Sequence, residues 1–115
     1  MPKPEHSIAY QGAPGAYSHL ACAAAYANRE ALSCATFEDT FQAVRDGRAE
    51  LAMVPIENSI AGRVADIHHM LPESGLFIVG EHFQPVNHQL LAPKDATLNG
   101  LKVVHSHLQA LGQCR

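Results

Sequence analysis

Three polar side chains, Glu57, Asn58 and Ser59, directly follow an apolar run in the middle of the chain. The run 51–56 is typical of a buried strand, with Pro55 near its end, where a missing N–H costs least. Apolar residues then return at helical spacing, so these polar groups are expected at the carboxyl edge of a sheet, ahead of a helix. Ligands bind at that edge in open α/β sheets, and helix N–H groups there can hold an anion. A simpler interpretation also stands, in which Asn58 or Ser59 only caps the helix.

A second candidate is the turn 11–15, which contains two glycines and a proline and lets the backbone approach a ligand closely. It follows a predicted strand, Ser7 to Tyr10, and precedes a helix expected to run from Tyr17 to about Asn28. The G-x-G-x-x-G fingerprint of dinucleotide-binding folds is absent. A phosphate cradle and a turn used only for packing both remain open.

The elements around these candidates alternate between strand and helix. A second strand is predicted at 32–36, and Thr36 with Asp39 resembles a capping box for a second helix, which Gly47 ends. A third helix is broken at 72–75. Further strands are predicted at 76–79, 83–92 and 101–104, and Ser106-x-x-Gln109 is a capping box for one more helix. This rhythm predicts an α/β fold, a parallel sheet with helices on both faces in three layers.

Composition excludes several classes of protein. The chain has 115 residues, 47% hydrophobic and 17% charged, which fits one soluble globular domain. A net charge of -3 gives no basic surface for nucleic acid or membranes. No apolar run is long enough to span a bilayer, and the first six residues lack the apolar core of a signal peptide. We therefore expect a cytoplasmic protein.

The cysteines and histidines do not form a recognisable metal motif. Cys22, Cys34 and Cys114 are odd in number and lack CxxC spacing, so free thiols are expected. The pairs at 68–69 and at 105 and 107 lack the i, i+4 spacing of a helical zinc pair. Surface or half-buried histidines, and no metal site, are the expectation.

Three blocks together resemble the prephenate dehydratase family. They are 12–18 (GAPGAYS), 55–59 with Gly62 and Val64 (PIENS), and 106–114 (SHLQALGQC). Their order and separation agree from about Ile8 to Arg115. Leu108 departs from the proline common in the family. The family's Thr-Arg-Phe motif, with its candidate proton donor, and its regulatory domain are absent, so we expect the chain to be incomplete.

The resemblance implies a two-lobed catalytic domain similar to type II periplasmic binding proteins, its first lobe at about 1–92 and the start of its second at about 93–115. It implies loss of CO2 and water from prephenate to give phenylpyruvate, without a cofactor. It implies catalytic positions at Asn58, Gln113 and Glu57, although Glu57 also fits a bracing role. Substrate-binding positions are expected at Ser59, Ser106, Gly15 and Ala16.

Two other functions stay open: arogenate dehydration, which differs only in recognition of an amino instead of a keto side chain, and a binding lobe without chemistry. The 115-residue chain alone is expected to be inactive. Apolar residues that lack a surface to pack against, such as Leu111, are expected to favour self-association into a dimer or larger homo-oligomer.

Overall fold

Strands and helices alternate from Ser7 to Met53, and a hairpin of two short strands and a further helix follow. A computed structural model describes residues 6–59, 62–87, 91–100, 102–105 and 111. The elements, in chain order, are β1 (Ser7–Gln11), α1 (Tyr17–Ala25), β2 (Glu30–Cys34), α2 (Phe37–Arg45), β3 (Leu51–Met53), β4 (Glu57–Asn58), β5 (Gly62–Arg63), α3 (Ala65–Met70) and a 3-10 turn (Leu71–Glu73).

Three of the strands form one parallel sheet in the order β2-β1-β3. Gln11 lies opposite Cys34, and Tyr10 lies opposite Met53, so the three strands end close to one another. Strand β1 is central, and its first four residues are buried. The prediction of an α/β fold with a parallel sheet is therefore confirmed.

Helices cover both faces of this sheet. Successive side chains of a strand point to opposite faces. Ala9 of β1 packs with Ala43 of α2 on one face. Ile8 and Tyr10 pack with Cys22 of α1 on the other. One helix on each side of the sheet gives the three layers that the strand and helix rhythm predicts.

Helix α1 and strand β2 differ in detail from the prediction. The helix ends at Ala25 instead of about Asn28. Ala21 and Cys22 are its buried residues, whereas Leu20 is exposed. The alanines on several sides of α1 give no clear apolar face in the sequence, so packing against β1 determines which side of the helix is buried. Strand β2 begins at Glu30, two residues early, because it pairs with β1 from Ser7 onward.

The predicted cap of α2 is confirmed. Thr36 Oγ1 accepts a hydrogen bond from the Asp39 N–H at 3.0 Å. Thr40 Oγ1 donates to the Thr36 carbonyl oxygen at 2.9 Å, which fixes the first turn further. The helix ends at Arg45, just before Gly47, whose φ of 79° is left-handed as expected for a helix-ending glycine.

The central strand and the segment after it are organised differently from the prediction. Strand β3 ends at Met53, and Glu57–Asn58 pairs antiparallel with Gly62–Arg63 in a short hairpin. Helix α3 starts only at Ala65, and Val64 is its N-cap residue. The interpretation of Asn58 or Ser59 as the helix cap is therefore wrong, because backbone pairing with 62–63 keeps this segment extended.

None of the three strands predicted after α3 is formed by the residues that the structure describes there. Residues 76–79, 83–87, 91–92 and 102–104 are described and are not in strands; 88–90 and 101 lie outside the described residues. Phe77 is 89% and Phe83 84% exposed. Apolar residues with high β propensity form a strand only where a partner strand binds them, and the described residues offer none. The capping box at 106–109 lies outside the described residues.

None of the helices in the described part of the chain has the length and apolar character that crossing a bilayer requires.

Candidate active site

Three loops meet at the carboxyl edge of the sheet because β1, β2 and β3 are parallel neighbours. They are residues 12–16 after β1, 35–36 after β2 and 54–56 after β3. The candidate residues Gly15, Ala16, Glu57, Asn58 and Ser59 all lie in or beside these loops. Five of the seven candidates thus follow the carboxyl ends of β1 and β3 along the chain, and open α/β sheets bind ligands at that edge.

The loop after β1 is fastened to the end of β2. The Gly12 N–H donates to the Cys34 carbonyl oxygen at 3.0 Å, and the Ser33 hydroxyl donates to the Gly12 carbonyl oxygen. Gln11 Nε2 donates to the Ala35 carbonyl oxygen at 3.3 Å. Gly12 has a φ of 122°, which side-chain-bearing residues rarely adopt, so glycine is required there.

The start of α1 carries no side-chain cap. Ala16 is the N-cap residue, and the first turn contains no acidic residue. The Gly15 N–H just before it donates to His19 Nδ1 at 2.8 Å. The positive end of the helix dipole therefore faces the site without a negative charge beside it, which favours an anion.

Helix α2 starts at the same edge but offers the opposite environment. The Thr36 side chain occupies its N-terminus, and Glu38 and Asp39 lie in its first turn. These carboxylates neutralise the helix dipole and repel an anionic ligand. Of the two helix starts, the α1 start is the better site for a substrate carboxylate.

The hairpin of β4 and β5 holds the central polar block. Asn58 is half-buried and lies opposite Gly62, while Glu57 and Ser59 are exposed. The segment before the hairpin is tied to α3 at Ile56, whose carbonyl oxygen accepts from the Val64 N–H at 2.8 Å and from His68 Nε2 at 3.1 Å. These two bonds tie the base of the hairpin to the start of α3.

A groove of about 480 Å³ opens at the same edge, between the end of β1, the start of α2 and α3. Its lining residues are Gln11, Ala35, Thr36, Phe37, Glu38, Asp66, His69 and Met70. None of the predicted site residues lines this groove, and Asp66 and His69, which do line it, were not predicted. Their i, i+3 spacing places both on one face of α3, and this was the signal in the sequence.

The other candidates and the thiols are placed as follows. Ser106 and Gln113 lie outside the described residues. Cys22 and Cys34 are free and buried, as expected, and Cys114 lies outside the described residues. Burial raises the pKa of the Cys22 thiol to about 11, which makes it a poor nucleophile. Among the described residues no three potential ligands are grouped to hold a metal ion.

Known proteins similar to this chain were found by sequence and by structure. The bifunctional N-acyl-homoserine lactone acylase/prephenate dehydratase of Komagataeibacter europaeus is 57% identical over 111 residues, covering 96% of this chain and 40% of that protein. Arogenate dehydratase 1 of Petunia hybrida is 45% identical over 117 residues, covering 98% of this chain and 28% of that protein. The solved structure of GqqA, described as a novel type of quorum quenching acylase, has a TM-score of 0.66 and 65% identity, covering 71% of this chain and 42% of that one.

The chain therefore spans well under half the length of these relatives. The family model described as prephenate dehydratase matches residues 8–115, which is nearly all of the chain. The predicted resemblance is confirmed, and the chain belongs to the prephenate dehydratase family.

Proposed function

We propose that this chain forms part of an enzyme that converts prephenate to phenylpyruvate, with loss of CO2 and water, on the route to phenylalanine. The observation that carries the proposal is the family match over residues 8–115. The uncapped start of α1 at the ligand-binding edge of the sheet supports it, because prephenate is a dianion.

The chemistry places modest demands on the protein. Aromatisation drives the step in which the ring carboxylate leaves as CO2 and the 4-hydroxyl leaves as water. The enzyme has to orient the two carboxylates and assist the departing hydroxyl by hydrogen bonding or proton transfer. In the proposed mechanism one carboxylate of the substrate lies at the α1 start beside Gly15 and Ala16, where the positive end of the helix dipole attracts it. The N–H groups of these two residues are bonded to His19 Nδ1 and to the Ala13 carbonyl oxygen, and these bonds shape the loop.

Asn58 is the side chain we assign to the reacting part of the substrate. It is half-buried at the edge of the sheet, and its amide can donate a hydrogen bond without adding a charge. Ser59 binds substrate beside it. Glu57 is exposed and lies opposite Arg63 in the hairpin register, which supports its alternative role in bracing the hairpin. Gln113 and Ser106 complete the proposed site from the second lobe.

The proposed domain organisation follows from the same resemblance. Residues 1–92 form the first lobe of a two-lobed domain similar to type II periplasmic binding proteins, and 93–115 begin the second. The chain covers 28–40% of the relatives' length, and Phe77, Ile78 and Phe83 are largely exposed. We therefore propose that the 115 residues alone are inactive and that the enzyme is a homo-oligomer. The free thiols of Cys22 and Cys34 support the proposal that it acts in the cytoplasm.

Arogenate is the alternative substrate within the same family. It carries an ammonium group where prephenate has a keto oxygen. Glu38 and Asp66 place two carboxylates on the groove, and these favour a cationic substituent. Several relatives from plants bear the name arogenate dehydratase. A lobe that binds a small anion without chemistry is the remaining alternative.

A second candidate function comes from the bacterial relative and the solved structure. The relative at 57% identity is named for both activities, and GqqA, at 65%, is described as an acylase. Hydrolysis of the amide of an N-acyl-homoserine lactone is therefore a second candidate activity for the full-length protein.

One experiment separates these functions. The full-length protein is assayed with prephenate, with arogenate and with an N-acyl-homoserine lactone, and the products measured are phenylpyruvate, phenylalanine and homoserine lactone. The proposal predicts saturable turnover of prephenate with a larger kcat/KM than for arogenate. Turnover of the lactone would show that the protein is also an acylase. If none of the three compounds is turned over, the remaining function is a binding lobe without chemistry.

A further inference from the structure

His19 contacts both the loop after β1 and the core beneath it. Its Nδ1 atom accepts a hydrogen bond from the Gly15 N–H at 2.8 Å. Its ring stacks on Tyr10 with the centroids 5.1 Å apart and an interplanar angle of 8°. Tyr10 is 1% exposed and belongs to the central strand, so the imidazole rests on a rigid support.

These two contacts define the chemical state of the ring. A nitrogen that accepts a hydrogen bond carries no proton, so the neutral imidazole has its proton on Nε2. Stacking on Tyr10 fixes the plane of the ring and with it the direction of the Nδ1 lone pair. His19 therefore presents a positioned neutral acceptor to the loop.

The position of His19 on the helix explains its reach. Ala16 is the N-cap residue of α1, so His19 is the third residue of the first turn. Side chains on a helix lean toward its N-terminus, and an acceptor at this position can return to the backbone just before the helix, as in a capping box. Here the backbone donor is Gly15, one residue before the cap.

The contact adds a second restraint to Gly15, which lies in a turn closed by the Ala16 N–H donating to the Ala13 carbonyl oxygen at 3.1 Å. Gly15 has a φ of 93°, is exposed, and would have nothing within 4 Å of a Cβ atom. Without the bond to His19, only this turn restrains the backbone of Gly15, and glycine has more accessible conformations than any other residue. The start of α1 would then be held less firmly in one direction.

We propose that His19 is a positioning residue for substrate binding, which holds the loop 12–16 so that the α1 start faces a substrate carboxylate. This inference rests on the proposed function. It predicts that loss of the Nδ1 acceptor weakens substrate binding and leaves the chemical step nearly unchanged, because His19 acts through Gly15 and Ala16.

The test uses substitutions of matched shape in the full-length protein. Asparagine keeps an acceptor where Nδ1 was, and leucine has the same shape without it. Phenylalanine keeps the ring on Tyr10 but has no acceptor. We expect His19→Leu and His19→Phe to raise KM for prephenate about tenfold, with kcat within about threefold of wild type, and His19→Asn to restore KM. Thermal unfolding of each variant identifies any that fail to fold.

Amide hydrogen exchange gives a readout that does not depend on turnover. We expect Gly15 to exchange faster in His19→Leu than in His19→Asn. If the wild type is active and His19→Phe has an unchanged KM, the positioning role of His19 is overturned, while the proposed function stands. Equal exchange rates of the Gly15 amide in all variants overturn the positioning role as well. A wild type without activity on prephenate overturns the proposed function, and the inference about its substrate falls with it.

Discussion

The Ser33 hydroxyl donates a hydrogen bond to the carbonyl oxygen of Gly12. Ser33 lies on β2 and Gly12 lies in the loop after β1, so this bond joins one loop of the proposed site to the neighbouring strand. The Gly12 N–H is bonded to Cys34 as well, and Gly12 is thus held to β2 by both of its backbone groups. The loop that leads to the α1 start is anchored at its first residue.

Ser33→Ala should loosen this anchor. The hydroxyl is exposed, so water can replace it in part, and we expect a loss of about 1 kcal/mol in the free energy of unfolding. Urea denaturation measures the change. Ser33→Thr keeps the hydroxyl on a residue suited to strands and should retain stability. Equal stability of the alanine and threonine variants would show that the bond contributes nothing.

Thr36→Ala should destabilise the protein through helix α2. The alanine variant loses the acceptor for the Asp39 N–H, and loss of such an N-cap costs about 1 kcal/mol. Thr36→Ser retains the hydroxyl and is the matched control. The expected order of unfolding midpoints places serine near wild type and alanine below it. A serine variant as unstable as alanine would assign the effect to the threonine methyl group.

Cys22 should make stability fall at high pH. Desolvation by burial raises the pKa of its thiol from 9.0 to about 11. Above about pH 9 the unfolded chain loses this proton while the folded protein keeps it, so the unfolded state binds fewer protons and stability decreases with pH. The free energy of unfolding has its full value below pH 9 and falls by roughly 2–3 kcal/mol by pH 11. Cys22→Ala should show a smaller decrease over this range in denaturation curves, and an identical decrease would contradict the assignment.

The thiols should also differ in accessibility. Cys22 is 2% and Cys34 8% exposed, so both should react slowly with an alkylating reagent in the folded protein. Under denaturing conditions without reductant, intact mass should show modification of Cys22, Cys34 and Cys114. Fewer than three modified thiols would reveal a disulfide and argue against a reducing compartment.

Local signals in the sequence predicted local structure well. The cap formed by Thr36 and Asp39 depends on residues three apart, and the structure contains it. Strand β1 likewise follows from its own apolar residues and the glycine turn after it. Gly15 and Ala16 reach the proposed site because parallel strands must end at one edge.

Features that depend on distant partners were not predictable in this way. The pairing of Asn58 with Gly62 is too short to give an alternating pattern, so the segment resembled a helix start. Residues 76–79 have strand-like composition, but strand formation requires a neighbour that no local pattern supplies. The contact of His19 with Gly15 has a sequence signal, the four-residue separation across a helix start, but the stacking on Tyr10 comes only from the fold.

The most direct test of the proposed active site is the rate of phenylpyruvate formation by Asn58→Ala in the full-length protein. Loss of one hydrogen-bond donor to the transition state typically lowers kcat by ~100-fold or more, and we expect that loss with a melting temperature close to wild type. Asn28→Ala is the matched control, because Asn28 is exposed in the loop before β2, at the opposite edge of the sheet. Its turnover should equal that of wild type. Equal turnover in Asn58→Ala and wild type would contradict the placement of the active site.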